Sequence, residues 1–344
     1  MAPSDFPVVL YHYTFSPYAR RIVWYLTLRG IPYIQCLQPL IMPRPDVTQL
    51  GIAYRRIPLL SIGRDVYLDT RLILQTLEEL FPASAAHPSL SASTSDQKAM
   101  ERLLSHFIID GGIFMRGSQL LPPDLPALKD PKFLKDRAEL FGAPAGSPPM
   151  TPEAMLASRS EAISEIQNAM ELLETTLLAD GRDWLLKTEG PKLADIEAVW
   201  VFHWLKAMPG ALTAEIVSAK QFPKVYAWIE RFSAASEVRE RVLGRPKTIK
   251  GDEAAELILN SAFAADEGEV DGGDAVVVSE GLKKGDVVRL GPTDTGVAHK
   301  ELGKLLSLTS KEVVIETRTK SGTVRVHAPR HGFRVKKAEG NLKL

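Results

Sequence analysis

The chain has 344 residues, of which 45% are hydrophobic and 24% are charged. This is typical of a globular protein of two or three domains and excludes wholesale disorder and collagen-like or coiled-coil architecture. Its single cysteine, Cys36, excludes an internal disulfide and a multi-thiolate zinc site, and its apolar surroundings predict a small buried residue. The 42 basic and 42 acidic side chains cancel, but residues 250–280 hold 1 basic and 9 acidic groups, whereas residues 281–344 hold 14 and 6.

Signals for export or membrane insertion are absent from the sequence. The first ten residues lack a basic segment followed by an apolar core, and no later stretch has 18 uncharged apolar residues. We therefore expect a cytoplasmic protein without a membrane span.

Residues 1–84 alternate strand and helix signals. Ser16 followed by Pro17 is typical of a helix start, because serine accepts from free N–H groups and proline is tolerated at the first helical position, and Gly30 ends the run. The predicted elements are strand 8–13, helix 17–29, strand 31–37, strand 59–62, strand 66–68 and helix 71–81. This order predicts a βαβ unit followed by a ββα unit.

Residues 91–245 instead show long amphipathic helices, which predicts an all-helical domain. The predicted helices are 95–115, 152–178, 193–207 and 223–235, and Asp110-Gly111-Gly112 interrupts the first of them. A proline-rich insert, residues 121–152, carries a short helix signal at 131–141. A connection of this length is usually a lid, a binding loop or a disordered tether.

The last part of the chain is predicted to be an acidic linker, residues 246–274, followed by a small, β-rich, barrel-like module, residues 275–344. The predicted strands are 275–278, 286–290, 304–308, 312–317, 323–327 and 332–335. The basic residues of this module suggest either a nucleic-acid stripe or pairing with the acidic segment. Because Phe333 is the one aromatic residue there suited to base stacking, we expect ionic pairing and no nucleic acid.

Four short motifs resemble those of the soluble glutathione transferases. Residues 16–20 (Ser-Pro-Tyr-Ala-Arg) are similar to the start of that family's first helix, and residues 56–59 (Arg-Ile-Pro-Leu) to its cis-proline turn. Residues 69–70 (Asp-Thr) are similar to its acidic-Ser pair, and residues 193–196 (Leu-Ala-Asp-Ile) to its buried helix start. The resemblance covers residues 7–243, is nearest to fungal members, and implies a thioredoxin-like domain followed by an all-α domain. Lys192 departs from the pattern, because the family has a Ser or Thr cap there.

The resemblance implies that glutathione is the co-substrate and that its thiol must be ionised to act as a nucleophile. Ser16 is the first candidate to stabilise the thiolate, because it lies at a helix N-terminus and carries a hydroxyl donor. Tyr13 and Tyr11 are the alternatives, since other classes of the family use a tyrosine at the end of the first strand. Without the resemblance, Ser16 would be read only as a helix cap.

Glutathione-binding residues follow from the same resemblance. A cis Ile57-Pro58 bond would expose the main chain of Ile57 to the cysteinyl backbone of glutathione. Asp69 and Thr70, at a helix start, would bind the γ-glutamyl group. The glycyl carboxylate would pair with Arg56 or with Arg55.

The second substrate is expected between the two domains. Candidate contacts by helical phase are Phe15, His106, Asp110, Phe114 and Met115, although aromatic and Met stripes are more often core than pocket. Of the seven histidines only His327 and His331 are four apart, and Pro329 between them disfavours a helix, so no structural metal is expected.

The sequence therefore predicts a glutathione transferase that conjugates the thiolate to an electrophilic, partly apolar small molecule and forms a homodimer. Two alternatives stay open: a non-catalytic scaffold with this fold, and a glutathione-dependent isomerase or β-ether-type lyase.

Overall fold

The computed structural model describes residues 6–143, 151 and 156–339. Part of the predicted insert and the start of the predicted helix 152–178 lie outside these residues. No helix within the described ranges is both long and apolar enough to cross a membrane.

The N-terminal domain has the predicted order of strands and helices. Its elements are β1 (Val8–His12), α1 (Pro17–Arg29), β2 (Ile34–Leu37), α2 (Pro45–Thr48), β3 (Leu59–Ile62), β4 (Asp65–Leu68) and α3 (Thr70–Leu80). Strand β1 is parallel to β2 and antiparallel to β3, and β3 pairs antiparallel with β4. This is a thioredoxin-like domain, and α2 is the one short helix in it that the sequence pattern does not predict.

Both ends of α1 follow from local chemistry. Ser16 Oγ accepts from the Ala19 N–H at 3.1 Å, and Pro17 follows at the first helical position. Gly30 ends the helix in the left-handed region, with φ 68°, and its N–H binds main-chain carbonyls of the last turn. The predicted cap and stop of this helix are confirmed.

The second domain is helical. It contains α4 (Ser95–Ile109), α5 (Ile113–Ser118), a 3₁₀ turn (Pro126–Lys129), α6 (Pro131–Leu140), α7 (Arg159–Leu172) with a π turn (Leu173–Leu177), α8 (Leu193–Lys206) and α9 (Pro223–Leu243). Gly112 adopts φ 83°, and a Cβ on Gly111 would lie 2.4 Å from the carbonyl oxygen of Phe107. These two glycines therefore end α4, and the predicted helix 95–115 is two helices.

Asp195 replaces the missing cap at the start of α8. It is fully buried, and its carboxylate accepts from the main-chain N–H of Lys192 at 2.9 Å, the N–H of Leu185 at 3.0 Å and Trp228 Nε1 at 2.8 Å. Burial raises the pKa of Asp195 to about 6, although these hydrogen bonds oppose the shift. The carboxylate thus ties the start of α8 to the preceding loop and to α9.

The C-terminal strands continue the thioredoxin-like sheet. The remaining elements are β5 (Lys247–Thr248), α10 (Gly251–Leu259), α11 (Ala275–Glu280), β6 (Val287–Pro292), β7 (Glu301–Leu308), β8 (Glu312–Arg318), β9 (Thr323–Pro329) and β10 (Phe333–Lys337). The sheet order is β10-β6-β7-β8-β9-β4-β3-β1-β2-β5, with β9 parallel to β4 and β5 parallel to β2. The β-rich character is confirmed, but the described strands form one open sheet with the thioredoxin-like domain rather than a separate barrel.

Two expectations for this region need correction. The predicted strand 275–278 is the helix α11, because Asp274 accepts from the N–H groups of Val276 and Val277 and Gly281 ends the helix in the left-handed region. The predicted linker 246–274 contains β5 and α10, which pack on the N-terminal domain. The division of the chain into domains otherwise stays a prediction, and residues 275–339 are called the C-terminal module below.

The sheet separates two hydrophobic cores, because side chains alternate along its strands. In β1, Leu10 faces a core shared with α1, α3 and the helical domain. Val9 and Tyr11 face a second core, which also holds Cys36 and apolar residues of the C-terminal module. The module therefore covers the sheet face opposite to the helical domain, and Cys36 is buried as predicted.

Ionic contacts join the module to the rest of the chain. Glu267 pairs with Lys284 and Arg325, and Asp274 pairs with Arg330, which confirms the predicted pairing of acidic and basic segments. Fully buried His327 bonds Asp65 of β4 at 2.9 Å and Glu312 at 3.0 Å. Burial alone would lower the pKa of His327, but these two carboxylates raise it to about 9.

Candidate functional site

A large cleft opens between the thioredoxin-like domain, the helical domain and the C-terminal module. Its volume is about 1180 Å³. The start of α1, the β2–β3 loop, the start of α3, the α4–α5 bend, the insert with α6, the end of α8 and the β6–β7 loop all contribute to its wall. A cleft of this size accommodates a peptide-sized ligand together with a second molecule.

Ser16 lies in the wall of this cleft and is 3% exposed. Its oxygen accepts the Ala19 N–H, and this bond leaves the hydroxyl proton available to an acceptor in the cleft. Half-buried Tyr13 lies beside it, with its carbonyl accepting the Ser16 N–H at 3.0 Å. Tyr11 points into the second core instead, where burial raises the pKa of its phenol, so the structure removes Tyr11 as an alternative.

The Ile57-Pro58 peptide bond is cis, and both residues line the same cleft as Ser16 and the start of α3. The structure thus brings the first-helix motif and the proline turn, which lie about 40 residues apart in the sequence, into one wall.

Asp69 caps α3 in an uncommon backbone conformation, with φ 66°. Its Oδ1 accepts from the main-chain N–H of Arg71 at 3.0 Å, whereas Oδ2 is 3.9 Å from Arg56 Nη2. Burial would raise the pKa of Asp69, but Arg71 and Arg56 outweigh burial and lower it. An ionised carboxylate with a weakly engaged oxygen therefore faces the cleft.

The side chain of Thr70 is hydrogen-bonded to the arginine of a buried ion pair. The Arg21 guanidinium donates to Thr70 Oγ1 and to the carboxylate of Glu197 on α8, and all three side chains are buried. Because Thr70 Oγ1 accepts from Arg21, its own proton can be donated into the cleft. The arrangement connects α1, α3 and α8 beneath the site.

Two arginines of the loop before the proline turn differ in their pairing. Arg55 is buried and paired with Asp136 at 2.8 Å and Glu139 at 3.2 Å, both on α6 of the insert. It is therefore committed to docking the insert. Arg56 bonds Tyr54 Oη at 2.7 Å and both oxygens of Asp294 at 3.0 Å.

Arg44 is a cleft residue that the sequence analysis misses. It is 5% exposed, and its guanidinium donates to the carbonyl oxygens of Pro39, Leu40 and Arg55. Within the described ranges no carboxylate lies within 4.0 Å of it, and burial lowers its pKa to about 10. A single arginine in a proline-rich loop has no sequence pattern that would reveal such a buried, carboxylate-free cation.

Apolar side chains line the other half of the cleft. Phe114 packs edge-on against Tyr18, with ring centres 4.7 Å apart, and stacks on Trp200 at 5.2 Å. Phe15 is 82% exposed at the rim. Further apolar wall residues come from the helical domain and the insert: Met115, Leu125, Phe133, Leu134, Leu140, Trp204 and Met208. The insert thus supplies part of the apolar wall.

His106 does not line the cleft, contrary to the expectation from helical phase. It projects from α4 to the rim, where its Nδ1 is 2.5 Å from Asp110 Oδ2 and its ring is 5.0 Å from that of His331. Asp110 does line the cleft, and its Oδ1 is 3.2 Å from His331 Nε2.

These three residues are a possible metal-ligand set that the sequence analysis also misses, with ligand atoms within 4.8 Å of one another. Arg71 Nη1 lies 2.9 and 3.2 Å from the two Asp110 oxygens, so this carboxylate is already paired with a cation.

The C-terminal module reaches the cleft through Asp294 and Thr295 of the β6–β7 loop. Phe333 of β10 stacks on Tyr54 with ring centres 6.0 Å apart, and the Arg56 guanidinium lies over both rings. No sequence signal linked these residues, because Arg56 and Asp294 are 238 residues apart.

Two family models match the chain. Residues 10–85 match the N-terminal domain of glutathione S-transferases, and residues 116–240 match a domain of unknown function, DUF7962. Glutathione transferase GST 23 of Zea mays is 22% identical over 72% of this chain and 94% of its own length.

Solved structures extend the similarity. A GST-like protein from Pseudomonas syringae superimposes with a TM-score of 0.70 and 26% identity, over 96% of this chain and 100% of its own. The β-etherase LigF from Sphingobium sp. gives a TM-score of 0.52 and 19% identity over 68% of this chain and 99% of its own, which is a similarity of fold alone. These relatives come from a plant and bacteria, and the nearer likeness to fungal members stays a prediction. Residues 10–85 thus match a glutathione S-transferase domain, and the chain as a whole is similar to glutathione transferases and GST-like proteins.

Proposed function

We propose that the protein is a glutathione transferase, in which Ser16 stabilises the glutathione thiolate for attack on an electrophilic, partly apolar small molecule. The observation that carries this proposal is the position of Ser16: a buried hydroxyl at the N-terminus of α1, in the same cleft as Ile57, Asp69 and Thr70.

The energetics of this role are reasonable. Lowering the thiol pKa from ~8.5 by about two units requires about 2.7 kcal/mol of preferential stabilisation of the anion. A helix N-terminus contributes ~0.3–2 kcal/mol. One hydrogen bond from Ser16 to the charged sulfur contributes ~1.5–3 kcal/mol, so the two together are sufficient. The thiol proton passes to solvent.

Glutathione would be held at three points. The main chain of Ile57 would pair with the cysteinyl backbone, and Asp69 and Thr70 would bind the γ-glutamyl ammonium and carboxylate. The glycyl carboxylate would lie against Arg44, since Arg55 is paired with α6 and Arg56 with Asp294. Arg44 is a buried arginine of the cleft with no carboxylate partner within the described ranges.

The second substrate would occupy the half of the cleft lined by Phe114 and the insert. With an aryl halide, the sulfur forms a bond to the ring carbon and the halide departs with the electron pair of the broken bond. The protein's contribution to this step is to hold the thiolate and the apolar ring close together. We further propose that the protein forms a homodimer.

The test is isothermal titration with glutathione, followed by a conjugation assay with 1-chloro-2,4-dinitrobenzene. Ser16→Ala is expected to bind glutathione with little change and to lose most of the activity. Ser236→Ala, which removes another buried serine far from the cleft, is the matched control. Failure of the unaltered protein to bind glutathione would favour the scaffold alternative, and loss of activity in Tyr13→Phe but not in Ser16→Ala would transfer the role to Tyr13.

A further inference from the structure

Two arginines flank Asp69, and each is bonded more closely to a second carboxylate further out. Arg56 Nη1 is 3.0 Å from both oxygens of Asp294, while its Nη2 is 3.9 Å from Asp69. Arg71 Nη1 is 2.9 Å from Asp110, while its Nε is 3.5 Å from Asp69. Each arginine therefore lies nearer to its outer carboxylate than to Asp69.

The C-terminal module contributes the outermost side chain at each end of this row of polar groups. Asp294 belongs to the β6–β7 loop, and His331, in the turn before β10, bonds Asp110 at 3.2 Å. Five charged groups alternate in sign across the mouth of the cleft: Asp294, Arg56, Asp69, Arg71 and Asp110. The module thus reaches Asp69, the middle group of this row, from two sides through its contacts with Arg56 and Asp110.

Arg56 is the more precisely fixed of the two arginines. Its guanidinium lies over the rings of Tyr54 and Phe333, 5.2 and 5.4 Å from their centres, and its Nε donates to Tyr54 Oη. Asp294 is the carboxylate nearest to the Arg56 guanidinium, and Asp69 is the next. Without Asp294, the nearest carboxylate for Arg56 would be Asp69, and a direct pair there would occupy the free oxygen Oδ2.

We propose that Asp294 is a positioning residue for ligand binding: it holds Arg56 off Asp69, so that Asp69 Oδ2 stays open to the γ-glutamyl ammonium group. The inference rests on the proposed function. It makes the C-terminal module part of the glutathione site rather than a separate appendage.

The experiment compares two ligands on matched variants of the full chain by isothermal titration. The ligands are glutathione and glutaryl-Cys-Gly, which lacks only the γ-glutamyl amino group. Asp294→Asn is expected to weaken glutathione binding about threefold to fivefold and to leave glutaryl-Cys-Gly binding unchanged, because the lost contact is absent from that ligand. Asp294→Glu keeps the negative charge and should therefore bind glutathione with most of the affinity of the unaltered protein.

Glu267→Gln is the matched control, since it removes another ion-paired carboxylate of the same charge outside the cleft, and both affinities should stay at the unaltered values. Equal weakening of both ligands by Asp294→Asn, or no weakening of either, would overturn the inference. If the unaltered protein binds neither ligand, the proposed function itself fails and the inference falls with it. Thermal unfolding of each variant checks that the fold is retained.

Discussion

The ionic cluster that joins the module to the thioredoxin-like sheet gives a pH-dependent stability that can be worked from the structure. His327 is fully buried between Asp65 and Glu312, and its pKa is raised from 6.5 to about 9. A group with a raised folded-state pKa stabilises the fold fully below its unfolded value, and this contribution is lost as the pH rises to the folded value. The shift corresponds to about 3 kcal/mol lost between pH 6.5 and pH 9.

The assay is urea unfolding at pH 6, 7, 8 and 9, monitored by tryptophan fluorescence. It compares the unaltered chain with His327→Gln and with the control His87→Gln. The unaltered chain and the control should lose stability between pH 7 and pH 9, and His327→Gln should be less stable at pH 7 but nearly independent of pH from 7 to 9. A slope in His327→Gln equal to that of the unaltered chain would refute the reasoning. Glu301, whose pKa burial raises to about 7, loses its contribution mainly below pH 7, so the interval from pH 7 to pH 9 is the one that reports on His327.

Two further predictions concern the cleft and its support. Arg44→Met should weaken glutathione binding tenfold or more, since a hydrogen bond to a charged group is worth ~1.5–3 kcal/mol, whereas Arg55→Met should mainly lower the melting temperature by releasing α6; equal affinities for Arg44→Met and the unaltered chain in a titration would contradict this role. Glu197→Gln should cost about 3–5 kcal/mol of unfolding free energy, because it leaves the buried Arg21 charge unpaired, while Glu161→Gln on the exposed surface should cost almost nothing. A loss below about 1 kcal/mol in Glu197→Gln would show that Arg21 finds another partner.

Local signals predicted the parts of the fold that depend on neighbouring residues. The start of α1 at Ser16-Pro17 and its end at Gly30 are set by capping and backbone conformation within a few residues. The break at Asp110-Gly111-Gly112 is likewise a local effect. These signals were sufficient to predict the order of strands and helices in the first part of the chain and the helical character of the second, whereas the thioredoxin-like assignment came from the resemblance to a known family.

The strand predicted at 275–278 shows where a local pattern misleads. Three consecutive valines favour a strand, but Asp274 before them and Gly281 after them form both ends of a short helix. Capping hydrogen bonds at both ends outweighed the weak β preference of the valines.

The site residues that the sequence did not predict are those that come together across long sequence separations. Asp294 lies 238 residues from Arg56, and His331 lies 221 residues from Asp110. Their positions depend on β9 adding to the edge of β4, which places the module beside the cleft. A single sequence contains no periodicity or spacing that encodes this pairing.

The most direct measurement is the ionisation of the thiol of glutathione bound to the protein, monitored through the ultraviolet absorbance of the thiolate as a function of pH. For the unaltered chain, the bound thiol should titrate about two units below its value of ~8.5 in solution, and Ser16→Ala should return most of that difference. A bound thiol that titrates at its solution value, or one whose titration is the same in Ser16→Ala, would contradict the assignment of Ser16 as the group that stabilises the thiolate.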